Sequence, residues 1–146
     1  MPNLPVLVIG GGPAGLEAAR GIVDLGYNCI LVDKADFLGG NPIFADYSAI
    51  TPDMRNAEEA MDEMIAKVMV NPLVEVRLNT TVKASKGIAP NLNVKLKNGK
   101  DEETIDVGSV VVATGFQHFD PGKETQMYGY YEFVDVITLV DVERML

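Results

Sequence analysis

The chain has 146 residues, 47% hydrophobic and 23% charged, which is typical of one soluble globular domain with its own core. A formal net charge of −9 argues against nucleic acid and against an anionic membrane surface as partners, because both favour a basic face. No apolar run approaches the roughly 20 residues of a transmembrane helix, so direct membrane insertion is not expected, and the single cysteine, Cys29, predicts a cytoplasmic protein without an internal disulfide.

The first elements follow the order of a dinucleotide-binding unit. A strand is predicted over residues 6–9, a helix over 14–25 and a second, fully buried strand over 28–32. Residues 10–15, with the sequence GGGPAG, join the first strand to the helix, and Asp33 directly follows the second strand. This order predicts a βαβ unit that binds a dinucleotide.

The spacing Gly-x-Gly-x-x-Gly assigns a task to each glycine. Gly10 permits the tight turn out of the strand, Gly12 lets backbone N–H groups approach a pyrophosphate, and Gly15 lets the helix pack closely on the strand. The pyrophosphate would lie at the helix N-terminus, where unpaired N–H groups and the helix dipole favour an anion. Asp33 would accept hydrogen bonds from the ribose 2′-hydroxyl and repel a 2′-phosphate, which disfavours NADP.

A second helix is predicted after a loop at residues 37–42. It begins at Pro52 or Asp53 and ends at Val70, and Thr51 or Asp53 is its candidate N-cap. Its apolar stripe consists of Ala57, Ala60, Met61, Met64, Ile65 and Val68.

The rest of the chain is mainly strands. Residues 74–78 and a fully buried strand at 109–113 are predicted to extend a parallel sheet, with an antiparallel meander as the crossover between them. The meander strands are predicted at residues 81–85, 93–97 and 104–107, with an Asn-Gly turn before the last. The fold class is therefore α/β, a Rossmann-like parallel sheet with a βαβ N-terminus and a β-meander crossover.

The C-terminal part carries weaker patterns. Residues 116–131 are predicted as a loop and residues 134–137 as extended, and a short helix follows through Leu146, capped by Thr138 or Asp141. Cys29 is interpreted as an inert core thiol. His118 is interpreted as structural, with a place near a flavin as the alternative. Three tyrosines, Tyr128, Tyr130 and Tyr131, indicate a packing or interface cluster.

Three landmarks, in this order, resemble the two-dinucleotide-binding flavoproteins: residues 10–15 with Asp33, then residues 38–40 (LGG), then residues 112–115 (VATG). The resemblance implies that the first set holds the ADP half of FAD. It also implies that the Gly-Gly pair borders the pyrophosphate and that the Ala-Thr-Gly strand end returns under the FAD domain. The cofactor-binding residues so implied are Gly10, Gly11, Gly12, Pro13, Ala14, Gly15, Asp33, Lys34, Gly39, Gly40, Ala113, Thr114 and Gly115.

A closer similarity is carried by seven segments: residues 31–34 (LVDK), 38–40 (LGG), 50–54 (ITPDM), 113–116 (ATGF), 119–121 (FDP), 128–130 (YGY) and 136–138 (VIT). These segments resemble the start of the A-type subunits of heterodisulfide reductase, a family of FAD-carrying hubs of electron-transfer complexes that often bear iron–sulfur clusters. That family typically carries a cysteine motif where residues 44–50 of this chain read FADYSAI, and one cysteine cannot supply the roughly four thiolates of a cluster, so no metal is expected.

The sequence therefore predicts one FAD/NAD-binding domain over residues 1–146, corresponding to the N-terminal portion of a larger flavoprotein. The expected function is that of the FAD-binding component of an electron-transferring oxidoreductase. One alternative is a non-catalytic dinucleotide-binding module or split subunit completed by a partner chain, and another is a dehydrogenase that uses NAD. Expected partners are other subunits of an electron-transfer complex or a second copy of the chain.

Overall fold

The fold is built on a parallel sheet of four strands. The computed structural model describes residues 4–123 and 128–146. The strand order is β5-β2-β1-β9, and β1 pairs in parallel with both β2 and β9. The strands are β1 (Val6–Ile9), β2 (Cys29–Val32), β5 (Val74–Arg77) and β9 (Ser109–Val112). The predicted βαβ order and α/β class are confirmed.

Two helices cover one face of this sheet. These are α1 (Pro13–Asp24) and α3 (Ala57–Met69). Val8 of β1 and Leu31 of β2 point to this side and pack with Leu16 of α1 in one buried cluster, to which Val68 of α3 also belongs. The helix predicted at 14–25 is confirmed within one residue at each end.

A second, antiparallel sheet covers the opposite face. Leu7 and Val32 point to this side, where they form a buried cluster with Val94, Leu96 and Val107. Adjacent residues of β1 thus serve two different cores, as the two-residue period of a strand requires. The covering strands are β6 (Thr80–Ile88), β7 (Asn91–Asn98) and β8 (Asp101–Val107), which pair in the predicted meander and are longer than predicted.

The start predicted for the second helix is wrong. A short hairpin occupies the region where the helix was expected to begin. Its strands, β3 (Ala49–Ile50) and β4 (Arg55–Asn56), have two residues each. The helix α3 starts only at Ala57, and the Oδ1 atom of Asn56 accepts a hydrogen bond from the Glu59 N–H at 3.0 Å. Neither Thr51 nor Asp53 is therefore the N-cap.

The burial predicted for the last strand is also wrong. Among the described strands, β9 pairs with β1 alone, so it is an edge of the sheet, and the Val112 side chain is 71% exposed. A continuous apolar run does not distinguish a central strand from an edge strand whose outer side is open.

The C-terminal segment wraps back without adding a strand. Residues 134 and 135 form a turn and residues 136 and 137 have no regular secondary structure, where an extended segment was predicted. A short helix, α4 (Leu139–Glu143), has Thr138 as its N-cap, with a capping box to Asp141. The loop predicted at 116–131 contains a 3₁₀ turn, Pro121–Lys123, and residues 124–127 lie outside the described residues. No helix in the described ranges combines the length and apolarity needed to cross a membrane.

Candidate dinucleotide site

The turn from β1 into α1 requires glycine at positions 10 and 15, because any side chain there would collide with backbone atoms. Gly10 has φ +108°, and a Cβ there would lie 2.2 Å from the carbonyl oxygen of Ala113. A Cβ at Gly15 would lie 1.7 Å from the carbonyl oxygen of Gly10. The helix therefore approaches the end of β1 as closely as the sequence predicted, because Gly15 has no side chain.

The first turn of α1 is open to a ligand. Gly12 is the N-cap and Pro13 the first helical residue, and no side chain caps the helix or places an acid in its first turn. The first intrahelical hydrogen bond is donated by the Leu16 N–H to the Gly12 carbonyl at 2.9 Å. The N–H groups of Ala14 and Gly15 precede it and have no intrahelical acceptor, so they can bind an anion.

A second glycine loop rests directly on the first. Gly39 and Gly40 follow the buried Leu38 and both have positive φ, +106° and +62°. The Gly39 N–H donates to the Gly11 carbonyl at 2.8 Å, and a Cβ at Gly40 would lie 2.8 Å from the Gly12 Cα. The resemblance placed these two loops around one cofactor, and the structure brings them into contact.

Asp33 lies beside the first loop. Its Oδ2 atom accepts a hydrogen bond from the Gly11 N–H at 2.5 Å, and its Oδ1 atom accepts one from the Ala35 N–H at 2.8 Å. The side chain is half-buried at the carboxyl end of β2, where ligands bind in open parallel sheets. A carboxylate has about four acceptor positions, so both oxygens keep capacity for a ligand hydroxyl. The adjacent Lys34 is exposed.

The end of β9 forms the third border. The Ala113 N–H donates to the Ile9 carbonyl at 2.8 Å, which continues the parallel pairing one residue beyond the strand. The Thr114 Cα would lie 3.2 Å from a Cβ at Gly10, so this residue also borders the first turn. Thr114 and Gly115 are exposed at the rim.

The sequence did not indicate that the segment after Gly40 contacts the C-terminal part of the chain. Three pairs of residues are hydrogen-bonded between these two parts. The Asn41 Nδ2 atom donates to the Phe116 carbonyl at 3.0 Å, the Tyr47 hydroxyl pairs with His118 Nε2 at 3.1 Å, and the Ser48 hydroxyl donates to Glu143 Oε2. The partners lie 71 to 95 positions apart, so no local pattern predicts them. His118 has the structural contacts that the sequence favoured.

Cys29 is a core residue, as predicted. It is 1% exposed, and burial raises the pKa of its thiol to about 11 from 9.0. Since the thiolate is the reactive form, this shift lowers the thiolate fraction at pH 8 by about 100-fold, in addition to the steric protection.

We expect a disulfide reagent such as dithionitrobenzoate to leave Cys29 unmodified in the native chain at pH 8 and to modify it fully in guanidinium chloride. The release of thionitrobenzoate at 412 nm measures both. Rapid stoichiometric release from the native protein would contradict the assignment of Cys29 as an inert core thiol.

The three-layer fold with these two glycine loops defines a Rossmann-like dinucleotide-binding domain of the oxidoreductase type. The chain belongs to the pyridine nucleotide-disulphide oxidoreductase family, which matches residues 4–142. This family match supports FAD, the cofactor predicted from the sequence.

The chain is similar to segments of longer curated relatives. A cinnamate reductase of Clostridium sporogenes is 35% identical over 71% of this chain and 14% of that protein. A protein of Archaeoglobus profundus that is itself like the A-type heterodisulfide reductase subunits is 34% identical over 63% of this chain and 13% of that protein. The A-type iron-sulfur subunit of the CoB–CoM heterodisulfide reductase of Methanopyrus kandleri is 24% identical over 97% and 32%. The resemblance to the A-type subunits of heterodisulfide reductase is confirmed, and the chain spans a third or less of these relatives.

Solved structures confirm the fold. The L-proline dehydrogenase of P. horikoshii superposes with a TM-score of 0.68 over 77% of this chain and 22% of that one, at 24% identity. The thioredoxin reductase of T. acidophilum superposes with a TM-score of 0.66 over 84% and 38%, at 20% identity. At these identities the likeness establishes the Rossmann-like architecture.

Proposed function

We propose that this chain binds FAD as the cofactor-holding component of an electron-transferring oxidoreductase resembling the A-type subunits of heterodisulfide reductase. The observation that carries the proposal is the contact between the two glycine loops at the N-terminus of α1, with Asp33 beside them. The N–H groups of Ala14 and Gly15 would hold the pyrophosphate and Asp33 the adenosine ribose. Bound flavin would supply the electron-transfer chemistry, while the protein supplies binding and orientation.

The geometry fits such a group. Gly12 has an extended backbone, φ −76° and ψ −175°, and a Cβ there would meet no atom closer than the Gly40 Cα at 3.7 Å. The structure therefore needs no glycine at position 12 for folding, whereas a pyrophosphate lying against the loop does. A substitution at Gly12 therefore tests ligand binding without disturbing the fold.

A partner-completed form of this function is favoured by a second observation. The outer edge of β9 and the C-terminal segment expose large apolar side chains, including Val112, Phe116, Phe133 and Leu139, with Val134 93% exposed. A surface rich in large exposed apolar side chains is typical of an interaction site. In this form, another protein of the same complex or a second copy of the chain would cover that surface and complete the flavin site.

The test is a titration of the purified chain with FAD and, in parallel, with NAD. Calorimetry monitors binding, and absorbance spectroscopy monitors the flavin. We expect saturable FAD binding, a change in the flavin absorbance, and binding at least about tenfold weaker for Gly12→Ala, because a methyl group would obstruct the pyrophosphate. The melting temperature of Gly12→Ala should match that of the wild type.

The possible outcomes separate the alternatives. No FAD binding at any protein concentration would refute FAD binding by this chain alone and favour completion by another protein, and preferential NAD binding would favour the dehydrogenase. An FAD affinity that increases with protein concentration would favour completion by a second copy.

A further inference from the structure

The segment that follows the second glycine loop has little regular structure of its own. Residues 41–50 contain only the four-residue helix α2 (Asn41–Phe44) and the two-residue strand β3. Neither belongs to the main sheet or to the meander. Segments with few regular hydrogen bonds open locally at low free-energy cost, so external contacts determine where this one lies.

The segment contacts α3 and pairs with β4, and it also receives contacts from the residues that follow β9. Phe116 and His118 stand one and three positions after Gly115, at the third border of the dinucleotide site. The Phe116 carbonyl accepts from Asn41, and His118 pairs with the Tyr47 hydroxyl. The His118 ring also meets the rings of Phe116 and Tyr47 edge-on, with centroids 5.1 and 5.7 Å apart. One histidine therefore links the segment after Gly40 to the segment after Gly115.

The position of Gly40 makes this link relevant to the site. Gly40 contacts Gly12, and the carbonyl of Gly40 accepts hydrogen bonds from the N–H groups of Ile43 and Phe44 in α2. A shift of the segment that contains Tyr47 would therefore be transmitted through α2 to the loop that closes the pyrophosphate cradle. Small displacements of a binding group are costly when the site depends on backbone N–H geometry.

We infer that Tyr47 and His118 form a positioning pair that holds the Gly39–Gly40 loop in its cofactor-binding place, an inference that rests on the proposed FAD site. Neither residue needs to contact the cofactor. The pair acts through the backbone of α2 and sets the distance between two of the three borders of the site.

The test compares Tyr47→Phe with Tyr130→Phe. Both remove one tyrosine hydroxyl from a hydrogen bond, but Tyr130 donates to Asp141 within the C-terminal segment and not to the segment after Gly40. We expect Tyr47→Phe and His118→Leu each to weaken FAD binding about fivefold, the equivalent of one net hydrogen bond, and the double variant to weaken it no further. Tyr130→Phe should bind FAD as the wild type does. His118→Gln, which keeps a hydrogen-bonding group, should recover part of the affinity.

A second readout needs no cofactor. Amide hydrogen exchange of residues 41–48 should be faster in Tyr47→Phe than in the wild type and unchanged in Tyr130→Phe. Failure of the wild type to bind FAD would refute FAD binding by this chain alone and, with it, this role of the pair. Wild-type FAD binding together with equal affinities and equal exchange for the two tyrosine variants would overturn the positioning pair alone.

Discussion

Replacing Gly15 by alanine should lower the free energy of unfolding by about 3 kcal/mol, at the upper end for an overpacked core position. The added Cβ would lie 1.7 Å from the Gly10 carbonyl oxygen and 2.9 Å from the Gly10 carbonyl carbon. Both atoms belong to the backbone and cannot rotate away, so α1 would have to move off β1. That movement would disturb the cluster in which Leu16 packs against Val8.

The matched control is Gly21→Ala in the same helix. Nothing lies within 4 Å of a Cβ at Gly21, which has no positive φ. Alanine is favoured over glycine in a helix interior by about 0.8–1 kcal/mol, so this variant should be more stable than the wild type. Urea denaturation followed by far-UV circular dichroism measures both changes. Equal unfolding midpoints for the two variants would show that the close approach of α1 to β1 does not constrain position 15.

Much of the fold could be predicted because its determinants are local. Between the apolar runs of β1 and β2, the spacing of the glycines predicts one tight turn followed by one helix, and the structure has both. The Asn98-Gly99 pair likewise indicates a hairpin, and Gly99 has the positive φ of +57° that such turns require. In each case, the residues that specify an element are within a few positions of it.

Other features depended on pairing that the sequence does not show. Thr51 and Asp53 are acceptable N-caps, but β3 pairs with β4 in this region, and the helix begins only after Asn56. The apolar residues of β9 resemble those of a buried strand, yet no described strand pairs with its outer edge. Burial depends on which elements lie alongside, and local composition carries no information about that.

The candidate site divides in the same way. The glycine run and Asp33 could be located from spacing alone, because each performs its task next to its own strand end. Tyr47 and Glu143 could not, since each acts through a partner far along the chain. The hydrogen bond from the Gly11 N–H to Asp33 also went unpredicted, although it connects the acid to the first loop before any ligand is present.

Asp33→Ala should therefore have two separable effects. It should destabilise the fold by about 2 kcal/mol, because the N–H groups of Gly11 and Ala35 lose a charged acceptor. It should also weaken FAD binding about 100-fold, since the ribose loses its acceptor and the Gly11 loop loses its support. Urea denaturation measures the first effect. Calorimetric titration well below the melting temperature, where the variant is still folded, measures the second.

Asp36→Ala is the control, because it removes an exposed carboxylate three positions away and changes the net charge equally. It should leave both quantities nearly unchanged, which excludes a general effect of charge on binding an anionic cofactor. If Asp33→Ala loses stability but binds FAD as the wild type does, Asp33 supports the loop and the ribose role is wrong. If it loses affinity without losing stability, the hydrogen bonds to Gly11 and Ala35 contribute little, and the acid serves the ligand alone. The double effect is expected because each carboxylate oxygen already holds a loop while keeping capacity for a second donor.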